Sequence, residues 1–274
     1  MMDTTKFREG FSMKQRKLAG RIAGAAASVL GLILTLVTRS SAIAEDASSG
    51  SKMAFALSLI VLIVGIVVLI ASFAPEQKKM DTKSLTMAAM FAALCYIGFA
   101  YLRIDIPVGT EKTAFHLGNV FCVLGALFLG GLWGGLWGGL SGAVGLTIAD
   151  LTSGYVTSAP KTFLLKLGIG LIAGLVAHKV FHISQPKEER KVSLPVATVL
   201  SCVAGMAFNV VADPVVGYFY KMYLLGVPQE AATIWAKIGA ITTLVNAVIA
   251  VLVASVLYLA LRPALQKSDL MPKV

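Results

Sequence analysis

Polar side chains that can bind a small solute lie at or near the ends of strongly apolar segments. They are His116, Asn119, Asp150, Lys161, Lys166 and Asp213. An ionisable group at membrane depth is costly unless it is paired or hydrated, so such residues indicate a functional site by default. For Lys166, about one turn inside its segment, the alternative is a side chain that snorkels to the interface. For each aspartate the alternative is a solvated helix cap.

Tyrosines and amides extend this set. Each aspartate is followed by a segment rich in polar and aromatic residues that contains Tyr155 or Tyr218. Asn209 and Asn246 lie inside the last two apolar segments, where an amide without water needs a hydrogen-bond partner. Bonding between helices explains either asparagine alone. Taken together, these residue types predict a pocket, open to the outside, for a small polar aromatic solute.

The elements that position these residues are transmembrane helices. Of the 274 residues, 57% are hydrophobic and 14% are charged, whereas about a quarter are charged in a soluble domain. Two apolar segments come first, at about Leu18–Val37 and at Met53–Phe73. Six more helices are expected at about 84–102, 115–130, 132–150, 161–181, 194–213 and 236–261. The predicted class is an all-α integral membrane protein, a six-helix bundle preceded by two extra transmembrane helices.

Four parts follow from this pattern. They are a helical hairpin over 1–76, a cytoplasmic linker over 77–82, a six-helix unit over 83–265 and a cytoplasmic tail over 266–274. The first apolar segment has basic residues before it and small residues after it, so a retained signal anchor and a cleaved signal peptide both fit. Nearly all the unusual polar residues lie in the six-helix unit, so we expect ligand chemistry there.

The basic residues predict the orientation. With the N-terminus inside, sixteen Lys and Arg fall on the cytoplasmic side and eight on the other side. This distribution obeys the positive-inside rule and places both termini in the cytoplasm. The net charge of +10 is therefore explained by orientation in a cell membrane, and no nucleic acid partner is expected.

Small residues recur at helical spacing in two places. Between Gly130 and Gly145 glycines repeat every four residues, which allows close helix packing. Packing within the chain is the favoured explanation and a ligand-facing surface is the alternative. Earlier in the chain, two overlapping alanine pairs have the same spacing and suit contact either within the chain or with a partner. These alanines are Ala88, Ala89, Ala92 and Ala93.

The motifs of common membrane enzymes are absent. The sequence contains neither the glycine-rich loop with Lys that binds nucleotide phosphates nor the H-E-x-x-H pattern of zinc proteases. Its three cysteines lie inside apolar segments without C-x-x-C spacing. We therefore expect no catalytic residues, no metal site, no cofactor and no enzymatic activity.

Residues 83–265 resemble the substrate-binding S component of energy-coupling factor (ECF) vitamin transporters. Four motifs carry the resemblance: AAMFAA at 88–93, HLGN at 116–119, the glycine repeat at 130–145, and DLTSGYVTSAPKTFLLK at 150–166. Their order and spacing look like the branch that includes riboflavin, hydroxymethylpyrimidine and pyridoxine carriers. The two N-terminal helices lie outside the usual six-helix pattern.

The resemblance implies a vitamin carrier. Such S components bind a vitamin or precursor from outside, beneath the loop after the first helix, here about Arg103 to Thr113. The alanine motif would face a transmembrane coupling subunit, which joins two cytoplasmic ATPases, and the S component topples in the lipid bilayer to deliver its cargo. The binding residues would be His116, Asn119, Asp150, Tyr155, Lys166, Asn209, Asp213, Tyr218 and Asn246.

Two other functions remain open at this point. In a stand-alone carrier for a small polar solute, Asp150, Asp213 or His116 would bind a coupling proton, but the sequence has no inverted repeat. In a membrane scaffold, the small-residue stripes would only assemble partners. The identity of the vitamin is open among the three types as well.

Overall fold

The computed structural model describes residues 4–44, 48–73, 82–109, 111–130, 136–190, 192–268 and 270–271. Six helices in this part of the chain are long and apolar enough to cross a membrane, which confirms the all-α membrane class. The chain divides into two compact units, Met1–Lys78 and Lys79–Val274. The predicted linker at 77–82 lies outside the described residues except for its last position.

The first unit is a pair of helices, α1 (Thr4–Ile43) and α2 (Ser49–Phe73). They pack at glycine, since a Cβ added to Gly65 would lie 2.5 Å from the backbone nitrogen of Ser28. Thr35 donates a hydrogen bond across the pair to Ser58 at 3.2 Å. Small residues and hydroxyl bonds are the usual means by which helices associate in lipid, where no hydrophobic force draws them together.

The second unit contains six helices and one hairpin. Its helices are α3 (Thr82–Ala100), α4 (Gly118–Leu129), α5 (Leu136–Thr152), α6 (Ala159–Leu175), α7 (Leu194–Phe219) and α8 (Gln229–Lys267). A single π-helical turn follows α6 at Val176–Val180 and another follows α7 at Tyr220–Leu224. Helix α4 has 12 residues, nearly all of them buried. It packs against α3, α5, α6 and α8, so it is the central helix of the unit.

The predicted bounds differ from the structure most clearly for α4, α7 and α8. Helix α7 was expected to end at 213 but continues through Pro214 to Phe219, and α8 begins at Gln229 instead of 236. Proline is tolerated inside a membrane helix because neighbouring groups satisfy the carbonyl that it leaves free. Helix α4 is shorter than the predicted 115–130 because β2 extends to His116 before it and Gly130, with a φ of +49°, follows it.

The expected loop after α3 is a β-hairpin. Strands β1 (Arg103–Val108) and β2 (Glu111–His116) pair antiparallel, with Arg103 opposite His116 and Asp105 opposite Ala114. Gly109 in the turn has a φ of +59°, a conformation that favours glycine. The hairpin is the only β-structure among the described residues, and it lies between α3 and α4 in sequence.

The described glycines of the 130–145 repeat pack inside the unit. A Cβ on Gly139 would lie 2.8 Å from the Leu167 carbonyl oxygen of α6, and one on Gly142 would meet the Cys122 side chain of α4. Both glycines are buried. Packing within the chain is confirmed for these positions, whereas residues 131–135 lie outside the described part.

Replacing Gly139 by Ala should destabilise the protein, because the added methyl group meets backbone across a close helix contact. Overpacking of this kind typically costs about 1–3 kcal/mol. The measurement is the midpoint of thermal unfolding in detergent. The control is Val144→Ala on the exposed side of the same helix, and equal midpoints for the two variants would contradict this account of the packing.

Candidate ligand-binding site

A cavity lies at one end of the six-helix unit, and the open space in it, with the solvent at its mouth included, is about 900 Å³. The hairpin, the start of α4 and α6, the end of α5 and α7, and the first half of α8 form its walls. Eight of the nine residues predicted to bind a ligand line it: His116, Asn119, Asp150, Tyr155, Lys166, Asn209, Asp213 and Asn246. The exception is Tyr218.

Tyr218 lies outside the cavity, with its ring against Phe219 at 5.2 Å. The reason is the continuation of α7 past Pro214. In a helix, residues four apart share a face, so Asp213 and Gly217 both line the cavity, whereas the next residue, Tyr218, points elsewhere. The prediction for Tyr218 assumed a loop at this point.

Two buried amides present unsatisfied acceptors. Asn119 is 1% exposed and Asn209 is 2% exposed, and the Oδ1 atom of each has no hydrogen-bond partner in the described part of the chain. Leaving a buried polar atom unsatisfied is unfavourable. Both residues line the cavity, and each of the two carbonyl oxygens is itself almost fully shielded from solvent.

Asn246 has a different role. Its Oδ1 accepts a hydrogen bond from the His116 backbone N–H at 3.0 Å, and its Nδ2 donates to the Ala114 carbonyl at 3.0 Å. The amide thus substitutes for a neighbouring strand and attaches β2 to α8. The sequence suggested bonding between helices as the alternative for this residue, and the structure shows a bond between a helix and a strand instead.

The two aspartates are bonded across helices. Asp213 of α7 forms an ion pair with Lys161 of α6 at 2.8 Å and accepts a hydrogen bond from Thr243 of α8 at 2.7 Å. Asp150 of α5, only 3% exposed, accepts a hydrogen bond from Thr162 at 2.5 Å. Neither carboxylate is a solvated cap. They connect four helices, α5 to α6 and α6 and α8 to α7, around the cavity.

Cations also face the cavity. Lys166 is 9% exposed, and no described residue accepts a hydrogen bond from its ammonium group. It lines the cavity instead of extending to the interface. The Lys221 ammonium lies 4.4 Å from the centre of the Trp235 ring, which is a cation–π distance.

A cluster of charged groups, called here the latch, also attaches the hairpin at the cavity. Its centre is Asp105, which accepts hydrogen bonds from Arg103 at 2.7 Å, Lys112 at 2.8 Å and the Tyr155 hydroxyl at 2.8 Å. Burial opposes the charge of Asp105, but the bonds from Lys112, Tyr155 and Arg103 outweigh it and lower the pKa of the carboxyl from 3.8 to about 2. Tyr155 thereby joins the hairpin to the segment between α5 and α6.

The four alanines predicted to face a partner form two pairs, one packed inside the unit and one exposed. Ala88 packs against the core, and Ala92 contacts α5, since a Cβ on Gly145 would meet its carbonyl oxygen. Ala89 and Ala93 are exposed. The pair that is free for a partner is therefore Ala89 and Ala93, with exposed Met90 beside them.

Several cavity residues escaped the sequence analysis. Lys112, Thr162, Lys221 and Thr243 line the cavity but have no unusual spacing of their own. Lys221 could have been found from its spacing. Asp213, Gly217 and Lys221 are each four residues apart, so they share one face if the helix continues past Pro214. Thr162 and Thr243 are recognisable only from the aspartates that they contact.

Comparison with known proteins gives a family. The protein-family model described as ECF-type riboflavin transporter, S component, matches residues 79–263, which is more than half of the chain. No match was found among the curated proteins or among the solved structures. The matched range includes the whole cavity and the four alanines.

Replacing Asp105 by Asn should loosen the hairpin, because the neutral side chain no longer attracts Arg103 and Lys112. We expect faster hydrogen exchange of the β2 backbone amides, with the helices unaffected. Ile104→Ala, an exposed position of the same strand, is the control. Unchanged exchange in Asp105→Asn would show that the latch does not hold the hairpin.

The same carboxyl gives the latch a pH dependence. Because its pKa is lower in the folded protein, about 2, than its ordinary value of 3.8, its stabilising effect is complete above about pH 4 and is lost as the pH falls through about 2. Protection of the β2 amides, measured as the exchange rate relative to the intrinsic rate at each pH, should therefore fall over this interval in the wild-type protein and not in Asp105→Asn.

Proposed function

Since the chain belongs to the family of ECF-type riboflavin transporter S components, we propose that it binds riboflavin from outside the cell for ATP-driven uptake by partner subunits. The family and the six apolar helices make it a multi-pass membrane protein and the vitamin-binding part of a transporter, as the sequence resemblance predicted. The proposal has three parts: that the vitamin is riboflavin, that partner subunits drive its uptake, and that the cavity faces outward.

The observation that carries the choice of ligand is the pair of unsatisfied amide oxygens of Asn119 and Asn209 in one buried cavity. The flavin ring has an imide N–H between two carbonyl groups, so it needs an acceptor next to donors. The amides supply the acceptors and Lys166 supplies a donor. A site that satisfies such groups by hydrogen bonds discriminates strongly against ligands that lack them.

Other lining residues suit the rest of the vitamin. Phe99 and Tyr155, with ring centres 5.2 Å apart, and Trp235 offer aromatic surface to a planar ring. The Lys161–Asp213 pair and Thr243 offer donors and acceptors to a chain of hydroxyl groups. A pyridine or pyrimidine alcohol would leave more of these groups unsatisfied, so we place riboflavin ahead of the smaller vitamins.

The orientation follows from the basic residues. With both termini in the cytoplasm, the cavity faces outward and the hairpin covers its mouth on the outer side. The exposed surface at Ala89 and Ala93 would contact the transmembrane coupling subunit, and two ATPases would supply the energy. Because the partner subunits would bind and hydrolyse ATP, this chain needs no nucleotide-binding loop of its own.

Riboflavin binding should weaken by roughly 5- to 150-fold in Asn119→Ala and Asn209→Ala, which corresponds to about 1–3 kcal/mol for a lost buried hydrogen bond. Lys166→Met should weaken it to a similar extent. The measurement is quenching of riboflavin fluorescence by the purified protein. Tyr218→Phe, outside the cavity, is the matched control and should keep wild-type affinity.

The ligand can be identified without assuming it. Mass spectrometry of the small molecule released from the purified chain should give riboflavin near equal stoichiometry. Release of pyridoxine or a hydroxymethylpyrimidine would refute riboflavin as the ligand but would still support a vitamin-binding function. Unchanged riboflavin affinity in all three cavity variants would refute the placement of the site.

Assembly with the coupling subunit should fail in the double variant Ala89→Leu, Ala93→Leu, because larger side chains prevent close helix approach. Riboflavin binding by the isolated chain should remain normal. The matched control is Val199→Leu, Val203→Leu, an exposed pair with the same spacing on α7. Co-purification with the partner subunits measures the effect, and equal recovery of both variants would place the interface elsewhere.

Reconstitution in vesicles separates this function from a proton-coupled carrier. The observation that keeps the carrier in consideration is Asp150, which is buried and has a hydroxyl group as its partner. Uptake that requires ATP and the partner subunits supports the S component. Uptake by the chain alone, driven by a proton gradient, would establish the carrier.

A further inference from the structure

The ring of His116 has one nitrogen bonded to the backbone. His116 is the last residue of β2, and its Nδ1 accepts a hydrogen bond at 3.1 Å from the N–H of Gly118, the first residue of α4. Because a backbone N–H can only donate, Nδ1 carries no proton and the ring is neutral. In a neutral imidazole the other nitrogen carries the proton. The Nε2 atom of His116 is therefore a hydrogen-bond donor.

Two further contacts hold His116 in position. The side chain of Asn246 accepts the His116 backbone N–H and donates to the Ala114 carbonyl, both at 3.0 Å, so this end of β2 is attached to α8. The ring packs against Phe99, with ring centres 4.7 Å apart and 62° between the ring planes. Backbone and ring are thus both held. A donor that is already ordered loses little conformational entropy when a ligand binds to it.

The Nε2–H of His116 needs an acceptor. Within the described ranges, no residue accepts a hydrogen bond from it, since the one hydrogen bond of this ring is made by Nδ1. His116 is 9% exposed and lines the cavity. A buried N–H without an acceptor is unfavourable, and the cavity is the space from which a ligand can supply one.

We propose that His116 determines ligand specificity as a fixed donor, whose Nε2–H binds an acceptor atom of the vitamin ring, and that Asn246 is the positioning residue that holds it there. The inference rests on the proposed function, in which the ligand is riboflavin. The carbonyl oxygens and the unprotonated nitrogens of the flavin ring are acceptors that can take this bond. A ligand without an acceptor at this point leaves the buried N–H unsatisfied, and sites of this kind discriminate strongly against such ligands.

Two substitutions separate the roles of the two ring nitrogens. In His116→Asn, the amide oxygen takes the place of Nδ1 and accepts the N–H of Gly118, as in an Asx turn, but no donor reaches as far as Nε2. In His116→Gln, the amide nitrogen reaches the place of Nε2, and the acceptor for Gly118 is lost. Riboflavin binding, measured by fluorescence quenching, should weaken at least about fivefold in His116→Asn. His116→Gln should bind more tightly than His116→Asn.

The matched control is His182→Asn, the same substitution at a histidine that does not line the cavity. His182 has a φ of +51°, a conformation that asparagine also tolerates. This variant should keep wild-type affinity for riboflavin.

A double-mutant cycle tests the role of Asn246. Asn246→Leu removes both hydrogen bonds to β2, so it should weaken riboflavin binding when His116 is present. If Asn246 acts through His116, the same substitution should cause little further loss in His116→Asn, because effects of coupled residues are not additive.

The wild-type titration distinguishes failure of the proposed function from failure of this inference. If the wild-type protein does not bind riboflavin, both are refuted. If it does, three results overturn this inference alone. The first is wild-type affinity in His116→Asn, and the second is weaker binding by His116→Gln than by His116→Asn, which would assign the importance of His116 to its bond with Gly118. The third is an equal loss from Asn246→Leu with and without His116.

Discussion

Polar groups inside a bundle of membrane helices have little water to bind, so each must find a partner in the protein or in a ligand. This constraint explains the contacts among the polar side chains at the cavity end of the six-helix unit. The Lys161–Asp213 ion pair, with Thr243, joins three helices, and Asp150 bonds to Thr162. Once these groups are paired, the amide oxygens of Asn119 and Asn209 remain unsatisfied, and the proposed function assigns them to the ligand.

The close approach of the helices makes this arrangement possible. Central helix α4 is buried on nearly all sides, and α5 lies against it and against α6 through glycines such as Gly139 and Gly142. Larger residues at these positions would separate the helices and with them the side chains at their ends. The small-residue repeat therefore serves the binding site indirectly, through packing.

The hairpin closes the cavity by two independent attachments. Asn246 of α8 bonds to the backbone of β2, and the latch around Asp105 connects the hairpin to Tyr155. The first attachment is an amide at one edge of the strand and the second is a set of charged groups near the surface.

The sequence by itself determined the membrane class of the protein and the family of residues 79–263, and it identified eight of the residues that line the cavity. It did so because membrane helices leave long apolar segments, and because polar residues in them are rare and costly enough to indicate function one by one. Only the tertiary structure decided which of these residues face the same space. Tyr218 lies outside the cavity because α7 continues through Pro214. Asn246 bonds to the backbone of β2. Ala88 and Ala92 pack against the interior of the six-helix unit. Each of these outcomes depends on the rotation of a helix relative to its neighbours, which packing of the whole bundle sets and local sequence does not record.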